Sequence, residues 1–117
     1  MITVEDISKE VLTVVSDFDF KDPIVKVGVF GSVSRNEQDN KSDVDLVIDY
    51  IYPKSNDDDL LLKYAINYCE FCNNIRRALG KNYKKKVDII EYEALSYPDN
   101  KILKREIERD VIWVYGK

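Results

Sequence analysis

The sequence predicts an α/β (α+β) fold, with helices packed on a mixed β-sheet of three to five strands. Three observations carry that expectation. Apolar runs rich in β-branched residues (24–30, 44–51 and 87–91) have strand length and are almost uninterrupted, as strands covered on both faces are. Between them lie segments whose apolar residues recur at spacings of three and four, the helical period. The chain has 117 residues, 44% of them hydrophobic, with no repeat, linker or low-complexity tract, which fits one domain over 1–117 with its own core.

The elements follow in order. Thr3 precedes Glu5 and Asp6, a hydroxyl cap with acids in the first turn. Ile7, Val11, Val14 and Phe18 then form one stripe of a helix that Asp22-Pro23 ends. Residues 24–30 read as a buried strand, 32–38 as a short helix after Gly31, and 39–42 as a polar turn. The second strand covers 44–51. Ser55 or Asn56 is expected to cap a long helix with Asp57, Asp58 and Asp59 in its first turn, where negative charge suits the helix dipole. Leu61, Ala65, Tyr68, Cys72, Ile75 and Leu79 mark its buried stripe, and Gly80 is the expected C-cap. Residues 87–91 form a third strand, Pro98-Asp99-Asn100 introduces a last helix with Ile102, Leu103 and Ile107, and 111–115 closes the chain as a strand or packed tail.

Composition excludes several chemistries. The chain has no histidine, so Ser-His-Asp and Cys-His catalysis and His-rich zinc sites are ruled out. Proton transfer falls to carboxylate, lysine, tyrosine or metal-bound water. A net charge of −4 and a pI near 4.9 leave no general basic face, so stable nucleic-acid binding is not expected. Lys84-Lys85-Lys86 is a local exception, readable as a solvated lead into a strand or as an attractor of ATP or an acidic partner. Cys69 and Cys72 form a lone C-x-x-C in mid-helix with no second pair, and read as buried thiols. No signal peptide, membrane span or lipidation motif is visible, so the expected location is cytoplasmic.

The motif that carries chemistry joins the first two strands. Gly31-Ser32 ends the first apolar run, and Asp43-Val44-Asp45 opens the second. On a strand, i and i+2 share a face. Two carboxylates about 6–7 Å apart repel by about 2.5 kcal/mol at an effective dielectric near 20. Asp88, opening the third strand, would add to that repulsion, and a bound divalent cation would reverse it. Gly31 allows close backbone approach, and the helix after it turns free N–H groups toward a phosphate. Ser32 adds a hydroxyl. Arg35, one turn on, can bind a phosphate or clamp the Asp43 loop.

These residues resemble the nucleotidyltransferase superfamily that includes DNA polymerase beta, and most closely its minimal, MNT-domain branch. The resemblance rests on Gly31-Ser32, Arg35-Asn36, Ser42-Asp43-Val44-Asp45-Leu46, Asp88 and the ending with Val114-Tyr115-Gly116, and so spans nearly the whole chain. Asn36 stands where the family usually has glycine. The resemblance implies transfer of AMP from ATP to a hydroxyl, with Mg²⁺ or Mn²⁺ held by Asp43, Asp45 and Asp88. Asp88 also acts as base, and Gly31, Ser32 and Arg35 bind the triphosphate. It further implies an antitoxin that silences a partner HEPN-domain RNase toxin by adding AMP to a tyrosine, in a hetero-oligomer. The short length independently favours a protein acceptor, because little chain is left to shape an acceptor pocket. The tyrosine-rich stretches 50–53 and 92–97 are candidate contact surfaces or core. Two other readings stay open: a binding antitoxin that works by occlusion, and a small-molecule nucleotidyltransferase.

Overall fold

The computed structural model describes residues 1–116. Its elements are α1 (Val4–Asp17), β1 (Ile24–Phe30), α2 (Gly31–Ser34), β2 (Val44–Tyr50), α3 (Asp58–Tyr83), β3 (Val87–Glu91), two 3₁₀ turns (Tyr92–Ser96 and Pro98–Asn100), α4 (Lys101–Asp110) and β4 (Ile112–Gly116). The sheet order is β3-β2-β1-β4. β1 runs antiparallel to both β2 and β4, whereas β2 and β3 are parallel. The long α3 supplies the crossover that a parallel pair requires.

The two faces of the sheet bury different cores. Val44, Leu46, Ile48 and Tyr50 of β2 pack with Ile7, Val11 and Val15 of α1 and with Phe71, Ile75 and Leu79 of α3. On the opposite face Val47 packs with Phe30, Leu95 and Ile107 beneath α4. This double coverage is why β2 lacks the alternation of a half-exposed strand. Asp45 and Asp49, flanking Val47 at i±2, share the α4 face.

Local chemistry sets most boundaries. Thr3 and Asp6 form a reciprocal capping box at α1. The cap of α3 is Asp57, not Ser55 or Asn56. Its Oδ1 accepts from the backbone N–H groups of Asp59 and Leu60, while Ser55 supports Asp57 one step earlier. The C-cap also differs from expectation. α3 runs through Gly80 to Tyr83 and ends at Lys84, in the left-handed region at φ 54°. Tyr83 packs against the first core, which extends the helix by a turn. Lys84 N–H then returns to Gly80 O, and Lys85 Nζ donates to Asn40 O at 2.8 Å. Lys84 thus ends α3 and Lys85 braces the 39–42 turn, while the side chains of Lys84 and Lys86 are exposed.

The buried stripe of α3 is Asn67, Phe71, Cys72, Ile75 and Leu79. Asn67 is held by bonds to Phe20 O and Tyr50 Oη. Tyr50 is fully enclosed, donates to Tyr64 O at 2.8 Å, and meets Tyr52 and Tyr68 edge-on, so part of the tyrosine set is core. Tyr97 is exposed. Of the two cysteines only Cys72 is buried, its thiol pushed up to about 11 by desolvation, while Cys69 faces outward. No helix among the described residues is long and apolar enough to cross a membrane.

Candidate nucleotide and metal site

Asp45 and Asp88 come together at one end of the sheet, beside the Gly31-Ser32 turn. Asp45 is the second residue of β2, half-buried on the α4 face. Asp88 is the second residue of β3 and its register partner across the parallel pair. Neighbouring strands lie about 4.8 Å apart, so the two carboxylates rise side by side. Asp43 lies exposed just before β2. Phe30, the last residue of β1, pairs with Asp45 from the other side, which sets the Gly31-Ser32 turn directly against it.

Electrostatics ties the acids together. Burial pushes the Asp45 carboxyl above its ordinary value; the charges of Asp88 and Asp43 push it further, and only Arg35 opposes them. None of the three carboxylates has a hydrogen bond or ion pair among the described residues. Of the other half-buried acids, Asp6 and Asp110 are capped or paired, whereas Asp49 and Glu91 also stand without a bonded partner among the described residues. Nor, among the described residues, are three acidic or thiol side chains already gathered closely enough to hold an ion. Like charges without a counter-ion spread apart, and a cation would draw them in. The donor set suits a hard divalent cation: carboxylate oxygens only, with no imidazole in the chain.

Gly31 is required by two constraints at once. Its φ of +75° lies in the left-handed region, and a Cβ there would collide with Oδ2 of Asp45. The expected 32–38 helix is shorter than its sequence suggested, a single turn over Gly31–Ser34. Ser34 Oγ donates back to Gly31 O at 2.7 Å, and Glu37 N–H reaches Ser32 O at 2.9 Å. One turn has little dipole, so any phosphate grip here comes from individual N–H groups and the Ser32 hydroxyl. Asn36 adopts φ 57°, the conformation glycine takes easily and asparagine tolerates best among other residues. The turn therefore forms with asparagine in it.

Arg35 does not contact the Asp43 loop. Its NH1 donates to Oδ2 of Asp110 at 2.6 Å and its Nε to Oε2 of Glu37 at 3.1 Å. Asp110, the last residue of α4, also receives both Nε and NH2 of Arg109. These bonds, Arg109 foremost, hold the Asp110 carboxyl at about 2. Asp110 escaped the sequence reading because 75 residues separate it from Arg35. The available signal was an acid in the last turn of a helix, where the dipole disfavours it.

A sizeable cavity lies elsewhere. A cleft of about 590 Å³ opens at the far end of β2, lined by Asp49, Tyr52, Lys54, Tyr92, Glu93 and Lys104 among others. Asp49 is four residues from Asp45, roughly 13 Å along the strand. The cleft thus lies beside the carboxylate site on the same face, not within it.

A Gly-Ser turn set against a pair of strand-borne aspartates, on a mixed sheet backed by two helices, defines a nucleotidyltransferase. Sequence comparison agrees: residues 11–114 match the nucleotidyltransferase domain family, and the chain belongs to it. Its relatives include the proposed protein adenylyltransferase MJ0126 of Methanocaldococcus jannaschii, 32% identical over 91 residues, covering 78% of this chain and 76% of that protein. Among solved structures, a toxin–antitoxin with AMP-PNP superposes with a TM-score of 0.61 at 16% identity, covering 94% of this chain and 73% of that one. A proposed minimal nucleotidyltransferase superposes with a TM-score of 0.58 at 23% identity, covering 95% of each chain. At these identities the two structures show the shared fold.

Proposed function

We propose that this nucleotidyltransferase transfers AMP from ATP to a hydroxyl of a partner protein, a tyrosine of a HEPN-type RNase toxin, and so acts as that toxin's cytoplasmic antitoxin. The observation that carries the reading is the unpartnered acid set: Asp45, with Asp43 and Asp88 beside it, is half-buried against a glycine turn with no counter-charge bonded to it. Asp43, Asp45 and Asp88 would hold Mg²⁺ or Mn²⁺, which supplies neutralisation and polarisation of phosphate oxygens. The backbone at Gly31, the Ser32 hydroxyl and Arg35 would receive the triphosphate. Asp88, exposed on the edge strand β3, would take the acceptor's proton. The bond formed is acceptor oxygen to α-phosphorus. The bond broken is the bridging oxygen to the same phosphorus, and pyrophosphate leaves with the electron pair.

The relative MJ0126, as a proposed protein adenylyltransferase, supports a protein acceptor. The toxin–antitoxin that shares the fold supports a toxin partner and an adenine nucleotide. The edge position of Asp88 fits an acceptor delivered on another protein's surface, since the sheet continues on one side of β3 only.

The test is incorporation of AMP from α-labelled ATP, with Mg²⁺, into a co-purified toxin. Label should appear on the toxin, vanish with Asp43→Asn or Asp45→Asn, and vanish when the acceptor tyrosine is replaced by phenylalanine. A stable complex that takes up no label, while an Asp43→Asn/Asp45→Asn double variant still protects cells, would replace this reading with neutralisation by occlusion.

A further inference from the structure

We propose that Asp110 is a positioning residue of the nucleotide site, holding the Arg35 guanidinium beside Asp45 and the Gly31-Ser32 turn; this rests on the nucleotidyltransferase site described above.

Three observations carry it. First, Asp110 is placed against its local interest. A carboxylate in the last helical turn faces the negative end of the dipole, so charged partners must offset that cost. The partners are Arg35 at 2.6 Å and Arg109 at 2.9 and 3.2 Å. Second, the carboxylate is spent on aiming arginines. Its side chain is only 8% exposed, and both oxygens are occupied: Oδ1 by Arg109, Oδ2 by Arg35 and Arg109 together. Third, Arg35 is not used up. A guanidinium has five N–H donors; Asp110 takes one on NH1 and Glu37 takes Nε. The remaining donors belong to the residue that caps the Gly31–Ser34 turn, its backbone N–H bonded to Gly31 O at 3.3 Å.

Pinning matters because an arginine loses much rotamer freedom when it grips a ligand, and less when it is already fixed. Arg35 and Arg109 are balanced by Asp110 and Glu37, so the cluster is neutral overall and what Asp110 contributes is orientation. Glu37 cannot substitute for this anchor. It is two residues from Arg35 and its side chain is 64% exposed, so it moves with the same turn. Asp110 alone ties the arginine to α4, and α4 to the sheet through Ile107.

The experiment compares Asp110→Asn, Asp110→Glu and Arg35→Ala in the full chain. Calorimetric titration with AMP-PNP, with and without Mg²⁺, reads nucleotide affinity independently of transfer. Asp110→Asn should weaken AMP-PNP binding and raise KM for ATP by fivefold to tenfold, with kcat changed less than twofold. Asp110→Glu should recover most of the affinity. In the Arg35→Ala background, Asp110→Asn should add less than a twofold further loss. The Arg35 NH1 protons that Asp110 accepts should be slowed in exchange in the wild type and exchange faster in Asp110→Asn, read by side-chain ¹⁵N NMR. Unchanged or tighter AMP-PNP binding in Asp110→Asn would overturn the proposal. So would a loss that multiplies fully with Arg35→Ala, which marks a role in stability alone. If wild-type protein itself neither binds AMP-PNP nor transfers AMP, the functional reading fails; if it does both and only the Asp110 variants behave as wild type, this inference alone fails.

Discussion

Replacing Asp45 by asparagine should make the metal-free protein more stable and its nucleotide-bound form less so. Asp45 faces Asp88 across the parallel pair and Asp43 two residues earlier, with no bonded partner among the described residues. At about 6 Å and an effective dielectric near 40, suited to a half-exposed site, each like-charge pair costs about 1.4 kcal/mol. Arg35 offsets roughly one of the two, and salt screens the remainder, so the net gain in Asp45→Asn is about 1 kcal/mol. For a domain of this size that is a rise in Tm of about 4 °C. The sign agrees with the raised Asp45 carboxyl, since a group whose folded value lies above its unfolded one is a burden at neutral pH. ATP with Mg²⁺ at about 100 times its Kd should stabilise the wild type by about 2.7 kcal/mol, roughly 10 °C, and the variant by almost nothing. The assay is a thermal melt with and without Mg²⁺ and AMP-PNP, at low and at physiological salt. A variant that melts below the wild type in metal-free buffer, or that keeps the full Mg-nucleotide shift, would refute the argument that Asp45 lacks a counter-ion.

Gly31→Ala forces φ +75° on a residue with a side chain and drives its Cβ into Asp45, so a loss of about 1–2 kcal/mol in denaturant unfolding is expected, together with loss of nucleotide binding. Asn36 already sits at φ 57°, so Asn36→Gly should lie within about 0.5 kcal/mol of the wild type while Asn36→Val loses about 1–2 kcal/mol, read from the same unfolding curves. Asp110, held at about 2 by Arg109 and Arg35, contributes stability that is fully present above its ordinary value of 3.8 and is lost as the pH falls through about 2. The gap in denaturant midpoint between wild type and Asp110→Asn should therefore be constant near neutrality and close between about pH 4 and pH 2; a gap that persists unchanged to pH 2 would show that the charge is not what Asp110 contributes.

The chain carried its local instructions openly. Thr3 with Asp6 announced a helix start, and the β-branched runs announced β1, β2 and β3. Each follows from dihedral preference or side-chain period, which act over a few residues. Where neighbours in space intervened, local signals failed. Gly80 is a fair C-cap by itself, but Tyr83 has a core to pack against and carries α3 onward to Lys84. Val14 fits the spacing of α1, yet Val15 is the residue that the sheet and α3 bury.

Sequence by itself determined the alternation of strands and helices, the Gly31-Ser32 turn and the acids that open two strands, because these depend on composition and period within one segment. Only the tertiary structure decided that Asp88 stands beside Asp45, since a register between strands 43 residues apart depends on how α3 lays β3 against β2. It alone decided that Arg35 answers to Asp110, a pairing across 75 residues that exists only because α4 folds back over the sheet to bury Ile107. Local rules set which chemical groups a segment carries, whereas burial of the apolar faces sets which of those groups meet.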